Sequence, residues 1–134
     1  MQSVQPHLQT EHASKVRVLT VDDSASMRAL LRAALTESGF DVEQAEDGQQ
    51  ALEWLATNEV DVVLTDINMP RLDGFGLIRK LRETALHGDR PILVLSTDSA
   101  ADKKALARDA GASGWIVKPF DADTLTAALR RVTP

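Results

Sequence analysis

Val60-Asp61-Val62-Val63-Leu64-Thr65-Asp66-Ile67-Asn68-Met69-Pro70 is a short apolar, β-branched run that ends abruptly in an acid and a turn. Val62 to Leu64 show no polar alternation, as expected of a strand covered on both faces in a parallel sheet. Asp66 then falls at the strand's carboxyl end, the edge where open α/β sheets gather their chemistry above a rigid floor. Taken alone, an Asp ahead of a Pro-containing loop more simply caps its own turn. The flanking chain has to decide between the two.

Upstream, Arg17 to Val21 reads as a strand ending in Asp22-Asp23-Ser24. Met27, Leu30, Leu31, Ala34 and Leu35 then recur at helical spacing, and Gly39 supplies a stop. Asp41 to Ala45 is a short strand, and Glu46-Asp47-Gly48 opens a helix with Ala51, Leu52, Leu55 and Ala56 inward. The central strand runs from Asp61 to Thr65; the helix after Asp73-Gly74 turns Phe75, Ile78, Leu81 and Ala85 inward. Pro91 to Leu95 is a fourth strand, ending at Ser96-Thr97-Asp98. The Ala-rich helix from about Ala100 to Ala110 has only Leu106 as a large apolar residue and is expected to be the least firmly packed. Gly114 to Val117 is a fifth strand ending in Lys118-Pro119-Phe120, and Asp121 caps a last helix with Leu125, Ala128, Leu129 and Val132 inward. Such βα units, each of about 20 residues, require parallel strands and right-handed crossovers, which predicts a doubly wound (βα)5 α/β sandwich.

With 134 residues, 43% of them hydrophobic, the chain suits one globular domain with a real core and no separate output module. Residues 1–14 lack periodicity and are expected to form a disordered tail, with the domain spanning 15–134. A net charge of -5 disfavours nucleic acid or an anionic membrane as partner. The lack of cysteine excludes disulfides, thiolate metal sites and Cys nucleophiles. No apolar run is long enough to span a bilayer and no basic-apolar leader opens the chain, so a cytoplasmic protein is expected.

Parallel strands bring their carboxyl ends to one rim, which gathers Asp22-Asp23, Asp66, Ser96-Thr97 and Lys118. Carboxylates about 4 Å apart repel by about 4 kcal/mol per pair at an effective dielectric near 20. Lys118 offsets one charge, and a hard divalent cation such as Mg²⁺, which takes oxygen ligands and keeps waters for a phosphate, suits the rest. A structural carboxylate-lysine network is the bland alternative; it explains one Asp and one Lys better than three acids, a hydroxyl and a Lys at strand ends. No His joins the set, since His7 and His12 lie in the tail and His87 ends the third helix, so Ser-His catalysis is excluded. Gly74 and Gly76 flank Phe75, but a bare Gly-x-Gly is a weak phosphate-loop signal. The groups suit phosphoryl transfer to a carboxylate. Trp54, Met27 and Met69 read as packing, and Lys103-Lys104 and Arg130-Arg131 as solvated helix faces.

Val21-Asp22-Asp23-Ser24, Ala45-Glu46-Asp47-Gly48, Leu64 through Gly74, Leu95-Ser96-Thr97, and Ala110 through Phe120 together resemble the receiver domain of two-component response regulators, most closely the CheY-like chemotaxis regulators. The resemblance implies a flavodoxin-like sheet of strand order 2-1-3-4-5. It implies Asp66 as phosphoacceptor, with Mg²⁺ held by Asp23, Asp66 and the Asn68 backbone carbonyl and reached by Asp22 through water. It further implies Ser96 as switch hydroxyl, Lys118 as phosphate-binding lysine, a cis bond before Pro119, and Asn68 and Asp98 as holders of the water that removes the phosphoryl group. The switch aromatic, most often Tyr or Phe in the family, falls on Trp115, whose indole needs more room for the same inward rotation. A histidine kinase is the implied donor, and the fourth helix, fifth strand and fifth helix form the implied surface for an output protein. A phosphate sink would carry the same residues without an output target. An aspartyl-phosphate phosphatase would need an acid two residues after the nucleophile, where Asn68 stands, so turnover catalysis is not expected.

Overall fold

The computed structural model describes residues 15–133; the expected N-terminal tail lies outside the described residues. Five βα units follow in order: β1 Arg17–Val21, α1 Ala25–Glu37, β2 Asp41–Ala45, α2 Gly48–Leu55, β3 Val62–Thr65, α3 Gly74–Arg82, β4 Ile92–Ser96, α4 Ala101–Ala110, β5 Gly114–Val117 and α5 Ala122–Val132. All pairings are parallel and the order is β2-β1-β3-β4-β5, the expected doubly wound sheet.

Alternation along the strands divides the core in two. Leu19, Val21, Val63 and Val94 meet Ala51 and Leu55 of α2, Leu77, Ile78 and Leu81 of α3, and Ala107 of α4. Val18, Val62, Leu64, Leu93 and Leu95 meet Leu31 and Leu35 of α1 and Leu125 and Leu129 of α5. Side chains of Ser24, Asp47, Asp73 and Asp121 accept from the first-turn N–H groups of α1, α2, α3 and α5. By contrast α4 starts at Ala100 without a side-chain cap and buries only Ala107.

The helical stripes differ from the sequence expectation in phase. Leu30 is 58% exposed, and Leu106 is exposed while Ala107 packs inward. Ala85 lies beyond the end of α3 at Arg82 and is exposed, while the unexpected Leu77 is fully buried. A three-four repeat of mixed Ala and Leu fits two adjacent rotations of a helix equally well, and only the sheet it meets selects one.

Candidate functional site

Register aligns the strand ends. Val21 of β1 pairs with Thr65 of β3, so the next residues on each strand, Asp22 and Asp66, stand side by side. The Asp66 N–H donates to the Val21 carbonyl (2.9 Å), and the Lys118 N–H donates to that of Ser96 (2.7 Å). Strand order reverses between β1 and β3, and a crevice opens above such a switch point.

Within that crevice Lys118 Nζ lies 2.9 Å from Asp22 Oδ2 and 3.4 Å from Asp66 Oδ2. The side chains of Asp22, Asp66 and Lys118 are 2%, 14% and 11% exposed, so the pairs are poorly screened. Asp23 is exposed at the mouth, and one carboxylate oxygen each of Asp22, Asp23 and Asp66 lie within 4.8 Å of one another. Burial pushes the Asp66 carboxyl above the usual carboxylate range, opposed by the Ile67 N–H at 2.7 Å and by the Lys118 charge, and reinforced by Asp22. Among the described residues the ion pairs of this group are both made by Lys118. Three carboxylates facing one ammonium, with hard oxygen donors converging, fit a divalent cation such as Mg²⁺.

Ser96 is buried, and its Oγ accepts from the Asp98 N–H at 3.2 Å. Trp115 is half-buried and turned toward the β4–α4 loop, where its Nε1–H donates to the Asp98 carbonyl at 2.8 Å. Phe could not make that bond. The Asp98 carboxylate is already engaged: Oδ1 accepts from the Ala100 N–H at 2.8 Å, and Oδ2 pairs with Lys103 Nζ at 3.1 Å. The Ala100 N–H and Lys103 hold its carboxyl below the usual range, so Lys103 is a loop tether as well as part of a solvated face. Asn68 is exposed between buried Ile67 and Met69, and the Lys118–Pro119 bond is cis.

Two glycines explain the tight approach of the β3–α3 loop. A Cβ on Gly74 would stand 2.4 Å from the Asp66 carbonyl oxygen, and one on Gly48 would stand 2.5 Å from that of Leu72. A further contact went unread in the sequence: Arg71 forks the buried Asp47, with Nε to Oδ2 at 3.0 Å and Nη2 to Oδ1 at 3.1 Å. No local periodicity links residues so far apart; only the cap-like Asp47-Gly48 pair hinted that Asp47 was engaged.

Fold and site together define a doubly wound α/β protein with an acidic, lysine-bridged pocket at its switch point. Residues 18–130 match the response regulator receiver domain family, and the chain belongs to it. It is 42% identical over 123 residues to response regulator MprA of Mycolicibacterium vanbaalenii, covering 89% of this chain and 52% of the relative. MprA of Mycobacterium tuberculosis H37Ra is 41% identical over 115 residues, covering 86% and 49%. The chain therefore spans about half the length of the curated relatives it matches. Among solved structures, the chemotaxis response regulator CheY4 of Vibrio cholerae superposes with a TM-score of 0.85 at 39% identity, covering 89% of this chain and 99% of that one. The receiver domain of sensor histidine kinase PA1611 from Pseudomonas aeruginosa, with a magnesium ion coordinated in its active site cleft, gives 0.83 at 26% identity, covering 89% and 98%.

Proposed function

We propose that this chain is a phosphoryl-accepting switch of a two-component pathway, working in the cytoplasm, with Asp66 as the acceptor. The observation that carries the reading is the Lys118 ammonium bridging Asp22 and Asp66 at the strand-end crevice. Asp23, Asp66 and the Asn68 backbone carbonyl would hold Mg²⁺, with Asp22 reaching it through water. When bound, the ion offsets the charge of the carboxylates and of an incoming phosphoryl group.

The Asp66 carboxylate oxygen that is not held by the Ile67 N–H attacks phosphorus on a phosphohistidine of the kinase. A P–O bond forms as the P–N bond breaks, and the imidazole leaves with a proton from solvent. Lys118 follows the charge onto the phosphoryl oxygens, and the Ser96 hydroxyl is the donor within the same rim. Water later attacks phosphorus, returning free Asp66 and inorganic phosphate, with Asn68 and Asp98 as its positioning groups. For Asp98 this requires release from Lys103 or from the Ala100 N–H. The chain is its own substrate and not a turnover enzyme.

The output surface on this reading is the face of α4, β5 and α5. It is supported by the single buried residue and absent cap of α4, by exposed Leu106 and Val117, and by a groove of about 270 Å³ lined by Ala107, Arg108, Gly114 and Trp115. The likeness to CheY4 makes chemotaxis one pathway for it. Intact-mass measurement after incubation with acetyl phosphate and Mg²⁺ tests the assignment. One added phosphoryl group is expected on wild type and none on Asp66→Asn; persistent labelling of that variant would reject Asp66 as acceptor.

A further inference from the structure

The β3–α3 loop is pinned on two sides. Inward, Ile67 and Met69 are buried in the core beneath α2 and α3, and the Gly74 N–H donates to the Ile67 carbonyl at 2.8 Å. Outward, the Gly48 N–H donates to the Leu72 carbonyl at 3.2 Å, and Arg71 forks the Asp47 carboxylate. That carboxylate is the N-cap of α2, accepting from the Gln50 N–H at 2.8 Å, so the fork ties the loop to the start of a packed helix. Asp47 is only 10% exposed at its side chain, and the Arg71 fork is the first cause holding its carboxyl below the usual range.

Arg71 has a φ of 68°, and it is the one non-glycine residue with positive φ among those described. A side chain in that region is strained and persists where its surroundings over-determine it. Glycine would adopt the same turn without strain. What arginine adds over glycine here is the fork, because a planar guanidinium holding both carboxylate oxygens fixes direction as well as distance.

We infer that Arg71 is a positioning residue for the phosphoacceptor site: through Asp47 it holds the loop in which Asn68 stands, and so sets the site's affinity for Mg²⁺. The inference rests on the Mg²⁺-dependent reading proposed above. Its test has a sign that simple electrostatics lacks. Removing a cation near an acidic pocket strengthens cation binding by charge alone, whereas releasing the loop weakens it.

Mg²⁺ affinity is measured by titration calorimetry on the wild-type chain, Arg71→Gly, Asp47→Asn and the double variant, with thermal midpoints of the metal-free proteins alongside. Arg71→Gly keeps the turn and is expected to leave the midpoint near wild type while raising the Kd for Mg²⁺ about tenfold, the lower end of losses seen when supports behind metal ligands are removed. Asp47→Asn, which keeps a capping oxygen but loses the charged fork, is expected to give a similar rise, and the double variant no more than either alone. Arg71→Lys, with charge but no fork, is expected to recover only part of the affinity. Unchanged or tighter Mg²⁺ binding in Arg71→Gly, or additive losses in the double variant, would overturn the clamp. Absence of Mg²⁺ binding by the wild-type chain would overturn the underlying reading of the site, and the clamp with it.

Discussion

His87 is 1% exposed in the turn between α3 and β4, and neither ring nitrogen has a hydrogen-bond partner among the described residues. Burial is the main cause that lowers its pKa, and nearby Arg90 adds to it; Glu59 opposes, and the Asn58 backbone favours charge slightly without forming a bond of ordinary geometry. The folded chain therefore keeps the imidazole neutral where the unfolded chain, titrating near 6.5, takes up a proton. Because the unfolded state binds more protons, stability is full above about pH 6.5 and falls as pH drops toward the folded-state pKa, by at most about 1.4 kcal/mol per pH unit for one proton. Chemical denaturation of wild type and His87→Met at pH 7.5 and 5.5 is expected to show a steeper loss in wild type. Equal losses would mean the buried ring does not control acid sensitivity. In the sequence His87 was only a residue excluded from the catalytic set, since its burial follows from how α2 and α3 meet.

At the level of elements, the start of α3 is where loop and helix compete for the same space. Gly74 and Gly76 look alike in sequence, but their neighbours differ. A Cβ on Gly74 would meet the Asp66 carbonyl oxygen at 2.4 Å and the Ile67 Cα at 2.9 Å, both backbone atoms that cannot turn away. A Cβ on Gly76 would meet mainly Leu72 Cδ1 at 2.6 Å, the far end of a side chain that can rotate. Alanine in a helix otherwise gains up to about 1 kcal/mol over glycine, against overpacking costs of about 1–3 kcal/mol. Gly74→Ala is thus expected to destabilise by about 1–2 kcal/mol, and Gly76→Ala to lie within about 0.5 kcal/mol of wild type, as read from urea midpoints. Similar midpoints for both would show that the loop yields more easily than its packing indicates.

Across the whole molecule, a chain of bonds joins the pocket to the indole on β5. Ser96 Oγ accepts from the Asp98 N–H, and the Asp98 carbonyl accepts from Trp115 Nε1. If the Ser96 hydroxyl turns to a phosphoryl oxygen on Asp66, the loop bond to Asp98 weakens and the anchor of the indole moves with it. Taking a population from mostly one state to mostly the other needs about 5.5 kcal/mol of differential interaction, within reach of several charge-assisted hydrogen bonds of about 1.5–3 kcal/mol each. In a Trp54→Phe background, adding beryllium fluoride and Mg²⁺ is expected to change Trp115 emission, and Asp66→Asn to abolish the change. A flat signal would remove Trp115 from the switch.

Strand runs ending in acids, hydroxyls and a lysine, repeated at regular intervals, were enough to read a parallel (βα)5 sheet and to place Asp22, Asp23, Asp66, Ser96 and Lys118 on one rim. That much is local, because covered parallel strands are continuous apolar runs and each strand's last residue is marked by the turn that follows. Tertiary structure alone decided which rotation of α1, α3 and α4 faces the sheet, as exposed Leu30 and Leu106 and buried Leu77 show. It also decided that the Asp98 carboxylate is spent on Lys103 and a helix start, that Trp115 reaches the Asp98 carbonyl, and that Arg71 forks Asp47 across the two loops. The Trp115 and Arg71 contacts join residues distant in sequence, the Asp98 contacts depend on where α4 starts, and all rest on ångström-scale packing of neighbouring elements, a quantity that no local pattern of residue types carries.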